Sequence, residues 1–447
     1  MAKYQRVLKK NAKTKLVLTL VLALSFALVS AGQFGNAATP GVLDPTAAQL
    51  QKWKSKTLTY LYFTDGPDEA ATRSLVAKFE ALTGAKVNIE LVPFANLDQS
   101  LAARLAGKNA PDVARLTNPA PYKNDMLNLE KYFGRKYRDE FLAGTYTQVL
   151  NSSRQLVGVP YDITINGPFV NVDQFKKAGV PLPTAPNPWT WDTMIAAAKK
   201  VQAANNTEFA FAIDKSGHRV STVLSQFGVY MIDKYGRNVL GTSRYRAEKA
   251  LKTLTDLIKA DIAPRDLWMG TGTKYAAANA IFLAQQVPVY LSGNWQVAAL
   301  ARDAKFTWVA VPNPCRLNCG GFPGGKFMVA FKESKTPDLA AYFVHWMNQP
   351  NQQASIDKAA NWLPTRVDLA KQGITYPARS EDMNVFLADS ALTPAAAYGW
   401  GSKGSAFSPA ANALILATQE IVAGKSTVRQ AVADLIRKID TYLAAVK

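Results

Sequence analysis

The stretch TLTYLYFTDGPDEAATRSLVAKFEALTGAKVNIEL, residues 57–91, decides the fold. Its opening run of threonine, leucine, tyrosine and phenylalanine predicts a strand over 57–63, stopped by the turn residues Thr64, Asp65, Gly66 and Pro67. Ala71, Leu75, Phe79 and Leu82 then recur at helical spacing, which predicts a helix over 68–82 with Gly84 as its C-cap. Val87, Ile89 and Leu91 alternate, the mark of a second strand. A short helix over 97–106 ends at Gly107, and a third strand over 113–116 follows Pro111 and Asp112. Strand, helix, strand, helix, strand is the order of a parallel α/β sheet. Ligands of such sheets sit beyond the carboxyl ends of the strands, so the turns at 64–66 and 117–118 point at a binding site.

Further along, a second α/β unit begins after residues 157–162, with a strand over 169–172 and a short helix over 173–178. A proline-rich connector covers 181–188, and Thr190 caps a helix over 191–201. Strands are expected over 209–213, 287–291 and 306–311, and helices over 245–260 and 276–284. The last of those strands runs into Pro312, Asn313 and Pro314, where the chain crosses back to the first unit. Thr336 and Pro337 open a helix carrying Leu339, Phe343 and Trp346. Thr427 and Gln430 form a capping box ahead of a final helix with Val432, Leu435, Ile439 and Tyr442 on one face. His218 and Arg219 read as a loop with a solvated histidine. The glycine pairs 320–321 and 324–325 read either as flexible loop or as places where backbone approaches a ligand. The chain has no internal repeat and no low-complexity tract.

The first residues address the compartment. Lys3, Arg6, Lys9, Lys10, Lys13 and Lys15 precede an apolar run over 16–29, and small residues follow up to Ala31 and Ala37. That order predicts a secretory signal over 1–37, cleaved after Ala31 or Ala37, and the apolar run is short for a membrane span. No cysteine lies near either point to carry a lipid, so the exported chain is expected to be soluble in the periplasm or cell envelope. Without the leader the 52 basic residues become 46 against 33 acidic ones, and the net charge falls from +19 to +13. The basic residues are scattered among acidic ones, unlike the clustered stripe of a nucleic-acid binder. The two cysteines, Cys315 and Cys319, have no metal-ligating neighbours in sequence, and in an oxidising compartment their spacing favours a local disulfide. No cofactor or metal site is expected.

Several segments taken in order resemble the family 1 extracellular solute-binding proteins of ABC transporters, the group that includes maltose- and trehalose-binding proteins. They are the Thr64-Asp65-Gly66 turn, LVAKFEALTG (75–84), APDV (110–113), VGVPYD (157–162), VNVDQFKKAG (170–179), WTWD (189–192), VYLSGNW (289–295) and LPTR (363–366). The resemblance implies a two-lobed periplasmic-binding-protein-like α/β fold. Each lobe is a mixed, mostly parallel sheet flanked by helices, and a ligand cleft between the lobes closes by hinge bending. It implies one lobe of 50–163 with 312–349 and another of 164–311 with 350–447. The function implied is capture of a sugar or short oligosaccharide, without catalysis, by a monomer that delivers it to membrane permease subunits.

A sugar ring offers an apolar face to aromatic rings and a hydroxyl rim to polar groups. Aromatic and polar residues stand together at Asn294-Trp295, Asn361-Trp362 and Tyr398-Gly399-Trp400. Trp295 matches a position where the family carries a sugar-stacking tryptophan; Trp362 and Trp400 serve either the ligand or a core. Asp65, Asn118, Asp162, Asn166, Asn294 and Arg366 are the expected polar contacts. Asp65 has an alternative role in its turn, Asp162 at the hinge, and Arg366 in pairing across the lobes. Many sugar-binding relatives carry aspartate where Asn118 stands, which puts a neutral amide in place of a carboxylate. The competing readings are an exported carbohydrate-active hydrolase using cleft carboxylates, and the same binder for a phosphoester or polyamine. No Gly-x-Ser-x-Gly, His-Glu-x-x-His or Walker motif is present.

Overall fold

The computed structural model describes residues 43–64, 68–233, 235–270, 276–398 and 404–445. The leader expected over 1–37 and the turn residues Asp65 to Pro67 lie outside them. Eight strands, β1 (Thr57–Tyr62), β2 (Lys86–Leu91), β3 (Val113–Leu116), β4 (Val159–Asn171), β5 (Phe211–Ile213), β6 (Val289–Gly293), β7 (Trp308–Ala310) and β8 (Pro323–Ala330), form one sheet. Its order is β2-β1-β3-β8-β4-β6-β5, with β7 also paired to β4. The first unit follows its expectation closely, for β1 runs parallel to both β2 and β3. The helix between β1 and β2 is Asp68–Thr83, and it buries Thr72, Leu75, Val76, Phe79 and Thr83. Leu82, expected on that face, stays 48% exposed because it falls at the edge of the stripe.

Around β4 the sheet is antiparallel. All thirteen residues of β4 are buried, whereas the sequence predicts a strand only over 169–172. Val159 to Ile165 pair with β8, Asn166 to Val170 with β6, and Phe169 to Asn171 with β7. The register shifts between Pro160 and Asp162, where a proline without an N–H enters the ladder. Prolines and Asn166-Gly167 make this segment read as turns, and tertiary pairing overrides that preference. The β8 strand is likewise absent from the sequence expectation, because its start reads as a glycine-rich loop. Those glycines serve close approach of backbone: a Cβ on Gly321 would stand 1.8 Å from the carbonyl oxygen of Asn166, and one on Gly324 would stand 2.6 Å from Thr164 Oγ1.

One core gathers residues of β1, β3 and β8 with helices Asp68–Thr83 and Pro337–Met347. Ile356, Ala360 and Trp362 join it, from a segment that the sequence expectation assigns to the other lobe. A second core holds Trp189, Trp191 and Phe322 with the helices Arg244–Lys259, Gly404–Val422 and Val428–Ala445. A third lies against β4, β6 and β7 around Phe169, Tyr290, Trp308 and Phe386. Thr190 and Thr427 cap their helices as expected, Thr427 in a reciprocal exchange with Gln430. His218 and Arg219, expected in a loop, lie on the helix Gly217–Gln226. Its serines and β-branched residues have low helix propensity, but Val220, Val223, Leu224 and Phe227 recur at helical spacing, and that stripe was the available signal. Cys315 and Cys319 form a disulfide with their Cα atoms 4.4 Å apart. Among the described residues no helix is long and apolar enough to cross a membrane.

Gly321→Ala therefore forces backbone apart where β4 changes partners. It is expected to lower the unfolding free energy by about 1–3 kcal/mol, read by urea denaturation of the parent and variant.

Candidate ligand-binding cleft

Where β1, β3, β5 and β6 end, their following residues converge on a cleft of about 490 Å³. Phe63 and Asn118 come from the first two of these ends, and Ser216, Arg219 and Trp295 from the others. Thr164 and Asn166 of β4 and Gly324 to Lys326 of β8 form its floor. Phe407, Ser408 and Asn412 reach it from helix Gly404–Val422. A parallel sheet opens its ligand site at the strand ends, and here the strand ends and the two crossing strands share one.

The walls are aromatic. The rings of Phe63 and Phe94 lie 5.2 Å apart on one side. On the other side Phe322 stacks with Phe407 at 6.1 Å, and the His218 ring meets Phe407 edge-on at 5.1 Å. His218 is thus a cleft residue on a helix, in place of the solvated loop histidine expected. Polar groups sit between these rings. Asn118 Nδ2 donates to Ser408 Oγ at 3.2 Å, which joins the two sides of the mouth. Asn166 Nδ2 donates to Thr222 Oγ1 at 2.7 Å and to the His218 carbonyl at 3.2 Å.

Beneath the floor lies a chain of buried charges. Arg115 Nη1 donates to the Phe63 carbonyl at 2.8 Å and pairs with Asp68 at 3.4 Å, while its Nη2 reaches Asp162 at 3.2 Å. Lys326 Nζ stands 3.3 Å from the other Asp162 oxygen. On the far side Arg219 pairs with Asp214 at 3.2 Å. Burial raises the Asp214 carboxyl to about 6, even against Arg219, Ser292 and Tyr290, which act to lower it. Burial likewise raises Asp389 to about 6, although Asn313 bonds it through both its backbone N–H at 3.1 Å and its side-chain amide at 2.6 Å.

The expected site residues divide by location. Asn118, Asn166 and Trp295 line the cleft. Asp162 is 2% exposed and faces Arg115 and Lys326 rather than the opening. Asn294 is buried and fastens β4 to the segment after helix Pro350–Ala360, accepting from the Ile165 N–H at 2.8 Å and donating to the Asn361 carbonyl at 3.2 Å. Trp362 is fully buried in the first core, with the Arg115 guanidinium 4.3 Å from its ring centroid. Arg366 pairs with Glu140 at 2.9 Å and Asp368 at 3.0 Å, away from the cleft. Asp65 and Trp400 lie outside the described residues. Sequence reasoning passed over Phe94, Lys326 and Phe407; the lysine directly after the second glycine pair was the available signal.

A helix-flanked mixed sheet with crossing strands and a cleft at the strand ends defines a two-lobed solute-binding fold. The chain belongs to the bacterial extracellular solute-binding protein family, whose profile matches residues 74–384. It is similar to a multiple sugar-binding protein of Streptococcus mutans, with 23% identity over 314 residues that cover 66% of this chain and 72% of that protein. The GacH receptor of Streptomyces glaucescens shares the fold at a TM-score of 0.73 and 17% identity, covering 88% of this chain and all of the receptor (100%). Maltose-bound MalE3 of T. maritima does so at a TM-score of 0.71 and 18% identity, over 87% of this chain and 100% of that one.

The buried carboxyls give a pH signature. Asp389 has a folded value above its unfolded one, so the folded state holds its proton more tightly and this group's contribution to stability falls as pH rises from about 4 through 6. His345, lowered to about 4 by burial, works in the opposite sense over the same range, so the variant must be compared with its parent. In urea denaturation from pH 4 to 7, Asp389→Asn is expected to remove the Asp389 part of the slope, about 1.4 kcal/mol for each unit of its shift.

Proposed function

We propose that this protein is the extracytoplasmic binding component of an ABC importer, which captures an uncharged sugar or short oligosaccharide and delivers it to a membrane permease. The observation that carries the proposal is the cleft itself: about 490 Å³, walled by aromatic rings and floored by amide, hydroxyl and backbone groups with the Asp162-paired Lys326. That volume falls in the range of small-molecule sites. Its chemistry suits a solute with apolar faces and a polar rim.

Charge bookkeeping favours a neutral ligand. Arg219 is matched by Asp214, and Lys326 by Asp162. Among the described residues Asp98 is the one carboxylate that lines the cleft. A phosphoester calls for surplus cations and a polyamine for surplus carboxylates. A glycoside hydrolase needs two carboxyl groups flanking the bond, which favours binding over turnover here. The multiple sugar-binding relative and the maltose-bound structure support the sugar class.

In this reading the leader is removed after Ala31 or Ala37 and the chain works as a soluble monomer. The lobes part across β4 near residues 163–164 and across β8 near 325–326. The first core, with Ile356, Ala360 and Trp362, moves as one body, and the second and third cores move as the other. Ligand exchange then opens and closes the cleft about those crossings.

A thermal-shift and tryptophan-fluorescence screen of the leaderless protein against neutral mono-, di- and oligosaccharides, sugar phosphates and spermidine tests the proposal. Neutral saccharides are expected to stabilise the fold and to be recovered unchanged. Response to phosphates or spermidine alone would overturn the ligand class, and release of cleaved sugar would overturn the binding role. Trp295→Ala is expected to weaken the responding saccharide by more than about 1 kcal/mol in calorimetry.

A further inference from the structure

A tryptophan at the end of a strand has two free torsions, and nothing in its own chemistry fixes the plane of its ring. Three features of this fold do so for Trp295. Gly293, the last residue of β6, lies under the edge of the indole: a Cβ there would stand 2.1 Å from Cζ3 and 2.2 Å from Cη2. One face of the ring is covered by Arg219, whose guanidinium carbon is 4.5 Å from the ring centroid. Arg219 is itself clamped, with Nη1 donating to Asn166 Oδ1 and Nη2 to Asp214 Oδ2 at 3.2 Å.

Asp214 completes the bracket. It is fully buried, directly after β5, and also accepts from the Tyr290 hydroxyl at 3.0 Å and from the Ser292 hydroxyl, both on β6. Its carboxylate thus holds a strand and the helix Gly217–Gln226 to one point, with Arg219 as the arm that reaches the indole. Asn166 belongs to the same assembly. Both hydrogens of its amide are used by Thr222 and the His218 carbonyl, and its oxygen takes Arg219. A guanidinium can stack on a ring and fork to two oxygens at once, which an ammonium cannot.

We propose that Arg219, braced by Asp214, is the positioning residue of the cleft. It backs the Trp295 indole and fixes its plane for stacking, with its charge spent on Asp214 rather than on the ligand. An indole held in place before binding loses little freedom when a sugar arrives, so the bracket contributes to affinity through the ring it holds. The consequence for affinity rests on the sugar-binding reading; the positioning itself does not.

The test labels the leaderless protein with 5-fluorotryptophan and records the fluorine spectrum of its nine tryptophans, with Trp295→Phe identifying the Trp295 signal. Asp214→Asn and Arg219→Lys are close in size to the residues they replace, and the other eight signals report whether each variant is folded. Both variants are expected to shift and broaden the Trp295 signal, and to weaken maltotriose binding by roughly fivefold. A Trp295 signal unmoved in both folded variants would show that Gly293 and packing alone hold the ring, and would overturn the proposal. If the parent fails to bind maltotriose or any saccharide of the panel, the functional reading falls, while the fluorine signal still decides the positioning.

Discussion

A strand buried along its whole length must find a partner for every N–H and C=O it carries, and β4 meets this demand over thirteen residues by changing partners midway. Up to Ile165 its ladder is with β8, and from Asn166 onward with β6. The handover is completed by side chains: Asn294 accepts from the Ile165 N–H, and Asn313 donates to the Asn166 carbonyl at 2.7 Å. Strand periodicity then sorts the residues between the two faces of the strand. Tyr161, Ile163 and Ile165 enter apolar cores on one face. Asp162, Thr164 and Asn166 take the other, the first toward Arg115 and Lys326 and the next two toward the cleft. The site therefore has its floor where the ladder changes partners.

The charges under that floor are costly to bury and effective once matched. Removing Arg115, Asp68 and Asp162 from water carries a desolvation penalty of several kcal/mol per ion, offset only by close pairing and further hydrogen bonds. Arg115 obtains both, and its guanidinium also lies over the rings of Phe63 and Trp362. The result is a rigid, nearly neutral foundation. Polar groups facing the cleft act as hydrogen-bond partners, without a dominant charge of either sign.

Where local pattern and tertiary role agree, the sequence was legible. The β1-helix-β2 unit, the capped helices at Thr190 and Thr427 and the disulfide all follow from residues close in sequence. Asn118 and Trp295 were legible as cleft residues because they sit directly after strands. The misreadings have a common cause. β4 and β8 carry proline and glycine for crossing one another, and the helix Gly217–Gln226 carries serines and β-branched residues of low helix propensity. Asp162, Trp362 and Arg366 are the kinds of residue that bind sugars, but partners distant in sequence take them first. Phe94 and Phe407 entered the site through folding that no local signal encodes.

The hydrogen bond from Asn118 to Ser408 joins the two sides of the mouth at its rim. If the lobes part for exchange as proposed, that contact breaks, whatever the solute is. A single neutral hydrogen bond contributes about 1 kcal/mol, roughly a fivefold factor in a rate. On that proposal the rim acts mainly on residence time, slowing escape and entry alike, while the aromatic walls set how tightly the solute is held. A side chain at position 118 that reached no partner would shorten the dwell of every ligand by a similar factor and leave their ranking unchanged.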